Sequence, residues 1–252
     1  MRCSLFLFLV FLVLLVFPAD FDAQKRRRIL PPKTKNQIAA QPTSDAVIID
    51  ERLAVLRSEP SFSAPAVQRM RRGRIIRISG AREADGVIFY RVVAAPNGGW
   101  LQAEAVAGRF RRGDDARLAK LVQGSEGFEQ IDRAQIFLET FPDSTLRPAM
   151  LLLLGDLLEE TALKLSNEAT RRLDRKEMAA SGAPLHSFYL NYISLDRYRR
   201  LGIFFVFNSN AKLFHYDGAT WREIIKKHPK SNESVEAQKR LDSLKLKMEA
   251  TK

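Results

Sequence analysis

"LAVLRSEPSFSAP", Leu53 to Pro65, opens as a strand and stops abruptly. Leu53, Val55 and Leu56 are apolar, and the Arg57-Ser58-Glu59-Pro60-Ser61 that follows is polar. Proline fixes its own φ and donates no backbone hydrogen bond, so a central strand does not run through it. The stretch predicts a short strand that leaves its sheet into a surface loop.

The surrounding residues repeat this rhythm. From Asp45 to Gly108 the chain alternates short apolar pieces, "AVIID", "GRIIRISG", "VIFYRVVA" and "GWLQAEAV", with turns. Ile76 and Ile78 alternate with Arg77 and Ser79, and Ile88, Tyr90 and Val92 with Phe89 and Arg91. Period-2 alternation of β-branched and aromatic residues marks half-buried strands. Arg72-Gly73, Ala84-Asp85-Gly86 and Pro96-Asn97-Gly98-Gly99 supply the turns, Asn-Gly accepting positive φ at low cost. Short strands so closely spaced predict a small closed barrel in place of an open sheet with exposed edges.

This segment resembles a bacterial SH3 domain. Arg57, Ser58, Pro60 and Ser61 match that family's bend, Gly73 its Arg-Gly turn, and Gly99, Trp100 and Leu101 its closing strand. Glu59 stands where the family carries Gly, and Leu56 is an extra residue before Arg57. The match spans about a quarter of the chain. Tyr90 and Trp100 are expected to line a groove with Arg57 and Glu59 at its rim, of the kind that takes extended peptides or glycans. Core packing is the alternative for either aromatic.

Beyond Gly113 the period changes. Ala134, Phe137, Leu138 and Phe141, then Leu154, Leu157, Leu158, Thr161 and Leu165, follow helical spacing. Pro142 ends the first helix and Pro148 suits the first turn of the next. Trp221, Ile224, Ile225 and His228, then Ala237, Leu241, Leu244 and Met248, repeat the pattern, and Pro142/Pro229, Leu154/Leu241 and Leu157/Leu244 share an offset of 87 residues. Phe141-Pro142-Asp143-Ser144 and Leu154-Gly155 resemble a tetratricopeptide repeat of bacterial envelope proteins. The second copy departs from it at His228 and Asp242. An insert, 167–217, separates the copies. Within it two apolar runs flank "NSNAK" and predict a hairpin, after which Asp217 or Thr220 caps a helix, Thr220 and Glu223 fitting a capping box.

The N-terminus predicts export. Arg2 precedes the apolar run Leu5–Phe17, too short to span a bilayer comfortably, and small residues follow. "KRRR", Lys25, Arg26, Arg27 and Arg28, closely follows the run and opposes translocation, so an uncleaved inner-membrane anchor is the alternative to a cleaved signal peptide. The same four residues can touch an anionic membrane surface. The sole cysteine, Cys3, excludes an intramolecular disulfide and suits a bacterial envelope. A balance of 41 Lys plus Arg against 29 Asp plus Glu, net +12, favours anionic partners.

Motifs for chemistry are sparse. His186, His215 and His228 lack metal-ligand spacing, and no GxSxG, Cys-His or P-loop pattern occurs. Asp156, Glu159 and Glu160 read as a solvated helix face before acid–base partners. Arg112-Gly113-Asp114 reads as a turn between two parts of the chain, with Asp114 or Asp115 as helix cap. Arg69, Arg71, Arg72, Arg74 and Arg77 form a basic cluster better suited to wall or lipid anions than to nucleic acid, given the expected export. The expectation is an α+β multidomain chain: 1–23 signal peptide or anchor, 24–44 basic linker, 45–108 SH3-like barrel, 113–252 tetratricopeptide-like helical domain with the insert 167–217. The resemblances imply an exported, non-enzymatic scaffold without cofactor or metal, its barrel taking peptide or peptidoglycan and its helices contacting envelope proteins. The alternatives are an envelope enzyme with its site in the insert, and a membrane-anchored binder of anionic lipid or nucleic acid.

Overall fold

The computed structural model describes residues 44–93, 98–173 and 175–249. The signal or anchor segment, the basic linker up to residue 43 and the Pro96-Asn97 part of the predicted turn lie outside the described residues.

Seven strands come first: β1 (Ser44–Ile48), β2 (Val55–Arg57), β3 (Ala66–Arg69), β4 (Ile75–Ala84), β5 (Val87–Val93), β6 (Gly99–Gln102) and β7 (Val106–Ala107). They form one antiparallel sheet in the order β3-β2-β6-β5-β4-β1-β7. The helical part contains α1 (Asp114–Gln123), α2 (Gly127–Thr140), α3 (Arg147–Arg172), α4 (Arg175–Ser181), α5 (Leu185–Leu190), α6 (Asp196–Arg199), α7 (Ala219–Lys227) and α8 (Asn232–Glu249). A hairpin of β8 (Phe205–Asn208) and β9 (Leu213–Tyr216) lies between α6 and α7, where the runs flanking "NSNAK" predict it.

The sheet does not close, which corrects the expected closed barrel. β3 and β7 are the two ends of the hydrogen-bonded order, and no ladder joins them. Ile48, Leu56, Ile76, Ile78, Val92, Leu101 and Val106, from six strands, nevertheless share one buried core, so the sheet curls around it. The β7 end is protected by helices in place of closure. β1 makes this possible, because Ala46-Val47-Ile48-Ile49 is apolar without alternation, the mark of a segment buried on both faces. Ala46 and Ile48 enter the sheet core, while Val47 and Ile49 join Leu118, Val122, Ile131 and Phe137 in the helical core. The described residues accordingly belong to one compact unit.

The Arg-Gly-Asp stretch is a junction in which Arg112 and Gly113 are exposed and Asp114 is buried. Gly113 takes a left-handed conformation at φ 82° and starts α1. Asp114, 1% exposed, accepts the Gly108 N–H at 2.9 Å and pairs with Arg111 and Arg117. Arg117 in turn donates to the carbonyls of Glu104 and Val106. Asp115 accepts the Ser144 hydroxyl at 2.7 Å, tying α1 to the turn before α3.

Two helical turns 87 residues apart share a backbone bonding pattern. Helices α2 and α3 form one pair, α7 and α8 another, and α3 packs on α7. In the first turn Phe141 N–H bonds to the Phe137 carbonyl and Ser144 N–H to that of Phe141; in the second, His228 bonds to Ile224 and Ser231 to His228, each 87 residues on. The expected capping box does not form. Asp217 accepts the Ala219 N–H at 3.0 Å, and Glu223 turns away to Arg147 at 2.7 Å. Gly155 is fixed by close packing: a Cβ there would lie 2.3 Å from Trp221 Nε1, and Trp221 is fully buried. Three tyrosines of the insert, Tyr189, Tyr192 and Tyr198, are buried in the same core.

Candidate functional site

The register of β5 and β6 decides which predicted site residues meet. Tyr90 stands opposite Leu101, and Arg91 opposite Trp100. Directly opposed residues share a face, and neighbours along a strand do not. Tyr90 therefore lies on the core face with fully buried Leu101, its ring edge-on to Phe110 at 5.8 Å. Trp100 lies on the other face, half-buried. The expected groove lined by both aromatics is thus not formed, because the one-residue stagger between them puts the sheet itself in the way.

The outer face carries a different set. Arg57 of β2 also pairs opposite Trp100, so Arg57, Trp100 and Arg91 make one row across β2, β6 and β5. Gly99 permits this spacing: a Cβ there would lie 2.6 Å from the Arg57 carbonyl oxygen and 2.9 Å from Leu56 Cγ. Arg82 lies one row along, opposite Phe89. Arg82 and Arg91 are exposed and form no ion pair among the described residues. Guanidinium groups recognise carboxylates and phosphates through paired N–H donors, and an indole face stacks on sugar or amide planes.

The opening bend is pinned at the side of this face. Arg57 Nη1 donates to the Ala64 carbonyl at 2.7 Å, closing the loop 58–65, and does not pair with Glu59. The Glu59 carboxylate is exposed and has no partner among the described residues. Asp85, at φ 52° in the β4–β5 turn, accepts the Phe62 N–H at 2.7 Å and the Ser61 hydroxyl at 2.8 Å. Those bonds, the backbone one foremost, hold its carboxyl below the usual range. The Phe62 ring meets buried Phe89 edge-on at 5.3 Å. Phe62, Asp85 and Arg91 are the members that the sequence reading does not name as site residues. The signal for Arg91 was its place in the Phe89-Arg91 alternation, opposite in phase to Tyr90.

The basic cluster around Gly73 is divided. Arg72, 13% exposed at its side chain, sits 2.9 Å from Glu129 and 3.3 Å from Asp132 of α2. Burial pushes the Asp132 carboxyl up, with Arg72 opposing. Buried Arg133 pairs with Glu129 and bonds the Ile49 carbonyl, completing a clasp between sheet and helix. Arg77 pairs with Asp45 at 3.6 Å on the surface. Arg69 and Arg71 stay on the periphery.

Of the three carboxylates after Gly155, Glu160 stays on the solvated face as expected, Asp156 pairs across to another helix at the surface, and Glu159 is drawn into a joint. Asp156 pairs with Arg240 of α8 at 3.0 Å, and Glu160 with Lys164 at 2.6 Å. Glu159 accepts the Tyr216 N–H at 2.9 Å, meets His215 Nδ1 at 3.2 Å and takes Lys247 at 2.9 Å. Burial raises this carboxyl, but the three bonds outweigh it and bring it down to about 2. Ser166 does the same for the neighbouring strand position, accepting the Phe214 N–H at 2.7 Å. Helix α3 thereby satisfies the free edge of β9. His186 is exposed and His228 ends α7. Among the described residues no group of three or more His, Cys, Asp or Glu could hold a metal ion.

Comparison with known proteins finds no matching family model, curated protein or solved structure. Among the described residues no helix is long and apolar enough to cross a membrane. The outer sheet face places Trp100 between Arg57 and Arg91.

Proposed function

We propose that the chain is a non-enzymatic binding and scaffold protein of the bacterial cell envelope. Its sheet is an SH3-like barrel left open between β3 and β7, and its helical pairs are tetratricopeptide-like with a long insert. The N-terminal apolar segment exports or anchors it. The outer sheet face takes an extended, carboxylate-bearing ligand, a peptide or peptidoglycan, and the helices contact envelope proteins.

The row of Arg57, Trp100 and Arg91 carries this reading. A partly exposed indole is kept from the sheet core by register, and cations flank it on both neighbouring strands. Shared burial of six strands supports the barrel assignment, and equivalent turn bonds 87 residues apart support the repeat.

Co-sedimentation of the full-length protein with purified peptidoglycan tests it. Saturable binding that falls about tenfold in Trp100→Ala and in Arg91→Glu is expected, a truncated central anchor commonly having that effect. No saturable binding at moderate salt overturns the wall ligand. Soluble cleavage products overturn the non-enzymatic assignment.

A further inference from the structure

A second surface stands apart from the sheet face. The C-terminal end of α3 and the segment following α5 border a shallow depression of about 500 Å³, whose lining includes Glu168, Arg172, Ile193, Asp196, Arg197 and Arg200. Arg197 is held in place: its guanidinium carbon lies 5.2 Å from the Phe128 ring centre and 4.8 Å from that of Tyr198, and Nη2 donates to the Tyr198 hydroxyl at 2.9 Å. A planar cation so fixed loses little freedom when it meets a carboxylate. Arg172 and Arg200 form no ion pair among the described residues. The acidic groups nearby are engaged, Asp196 with Arg199 at 3.2 Å and Glu168 with the Tyr192 hydroxyl at 3.4 Å.

Ile193 lies among these cations and is 74% exposed. Helix-end electrostatics account for an arginine in the last turn of α3. They do not account for an aliphatic side chain left exposed in a depression that three arginines help to line. Apolar anchors ringed by arginine are the composition of protein-binding hot spots.

We propose that this depression docks an acidic protein segment carrying an apolar side chain. Its carboxylates pair with Arg172, Arg197 and Arg200, and its apolar side chain covers Ile193. The recessed shape favours a side chain over a flat bilayer. The proposal rests on the helical part being a protein-binding part, and not on the sheet face.

The test is fluorescence anisotropy of a labelled synthetic peptide of repeating Glu-Glu-Leu, titrated with full-length protein carrying Trp100→Ala and Arg91→Glu, which removes the indole of the sheet face and reverses one of its cations. Saturable binding that weakens with salt is expected. Adding Arg172→Glu with Arg200→Glu weakens it at least about tenfold, and Ile193→Ser about threefold. All three positions are exposed, so thermal unfolding of these variants stays at the parent value. Absence of saturable binding, or binding that the arginine reversals leave unchanged, overturns the proposal. So does arginine-dependent binding of phosphatidylglycerol vesicles without binding of the peptide, which assigns the patch to lipid. Peptidoglycan binding, measured on the protein with Trp100 intact, reports separately on the sheet face.

Discussion

Glu159→Gln probes the joint that holds the hairpin and the last helix to α3. The glutamine keeps the shape and an acceptor for the Tyr216 N–H, but removes the charge facing His215 and Lys247. The Glu159 carboxyl is displaced from 4.5 to about 2, a difference of about 2.5 units. At about 1.4 kcal/mol per unit this corresponds to roughly 3 kcal/mol of stability at neutral pH. Its side chain is only 18% exposed, so solvent screening leaves most of that in place. Because the folded-state value is the lower one, the contribution is complete above about pH 4.5 and disappears as pH falls toward 2. Urea unfolding of the parent and the variant from pH 7 to pH 2.5 measures the difference directly. A gap of about 2–3 kcal/mol at pH 7, narrowing below pH 4.5, is expected. Other carboxylates titrate in both proteins and cancel. A gap that is independent of pH, or smaller than about 0.5 kcal/mol at pH 7, refutes the assignment of Glu159 as a charged joint.

Two further predictions concern packing and the loop. Gly155→Ala drives a methyl group into the buried indole of Trp221, with Thr220 Oγ1 2.7 Å away as well, and is expected to cost about 1–3 kcal/mol in chemical unfolding; an unchanged midpoint contradicts the close α3–α7 packing. Asp85→Ala removes the two bonds from Asp85 to the 58–65 loop, so the Phe62 amide should exchange with solvent at least about tenfold faster, by hydrogen-exchange mass spectrometry, while the buried amides of β5 keep their rates; equal exchange at Phe62 contradicts the pinning by Asp85.

The strands and helices were legible where pattern and packing agree. Alternation at Ile76/Ile78 and Ile88/Tyr90/Val92 located β4 and β5, and the 87-residue offset anticipated two equivalent helical turns. Closure was not legible, because the clue to its absence is β1, whose unalternated Ala46-Val47-Ile48-Ile49 serves two cores at once. The candidate site was half legible. Arg57 and Trp100 do meet, but their pairing with Arg91 depends on the β5–β6 register, and a one-residue slip exchanges faces. Glu159 looked like a solvated carboxylate because helical spacing says nothing of a strand arriving 57 residues later.

The most direct test of the central claim is the peptidoglycan affinity of the full-length protein with and without Trp100→Ala. Saturable binding that drops about tenfold in the variant, with unfolding unchanged, is the predicted result. Equal affinity in the two proteins, or no saturable binding in either, contradicts the assignment of the Arg57–Trp100–Arg91 row as the ligand surface.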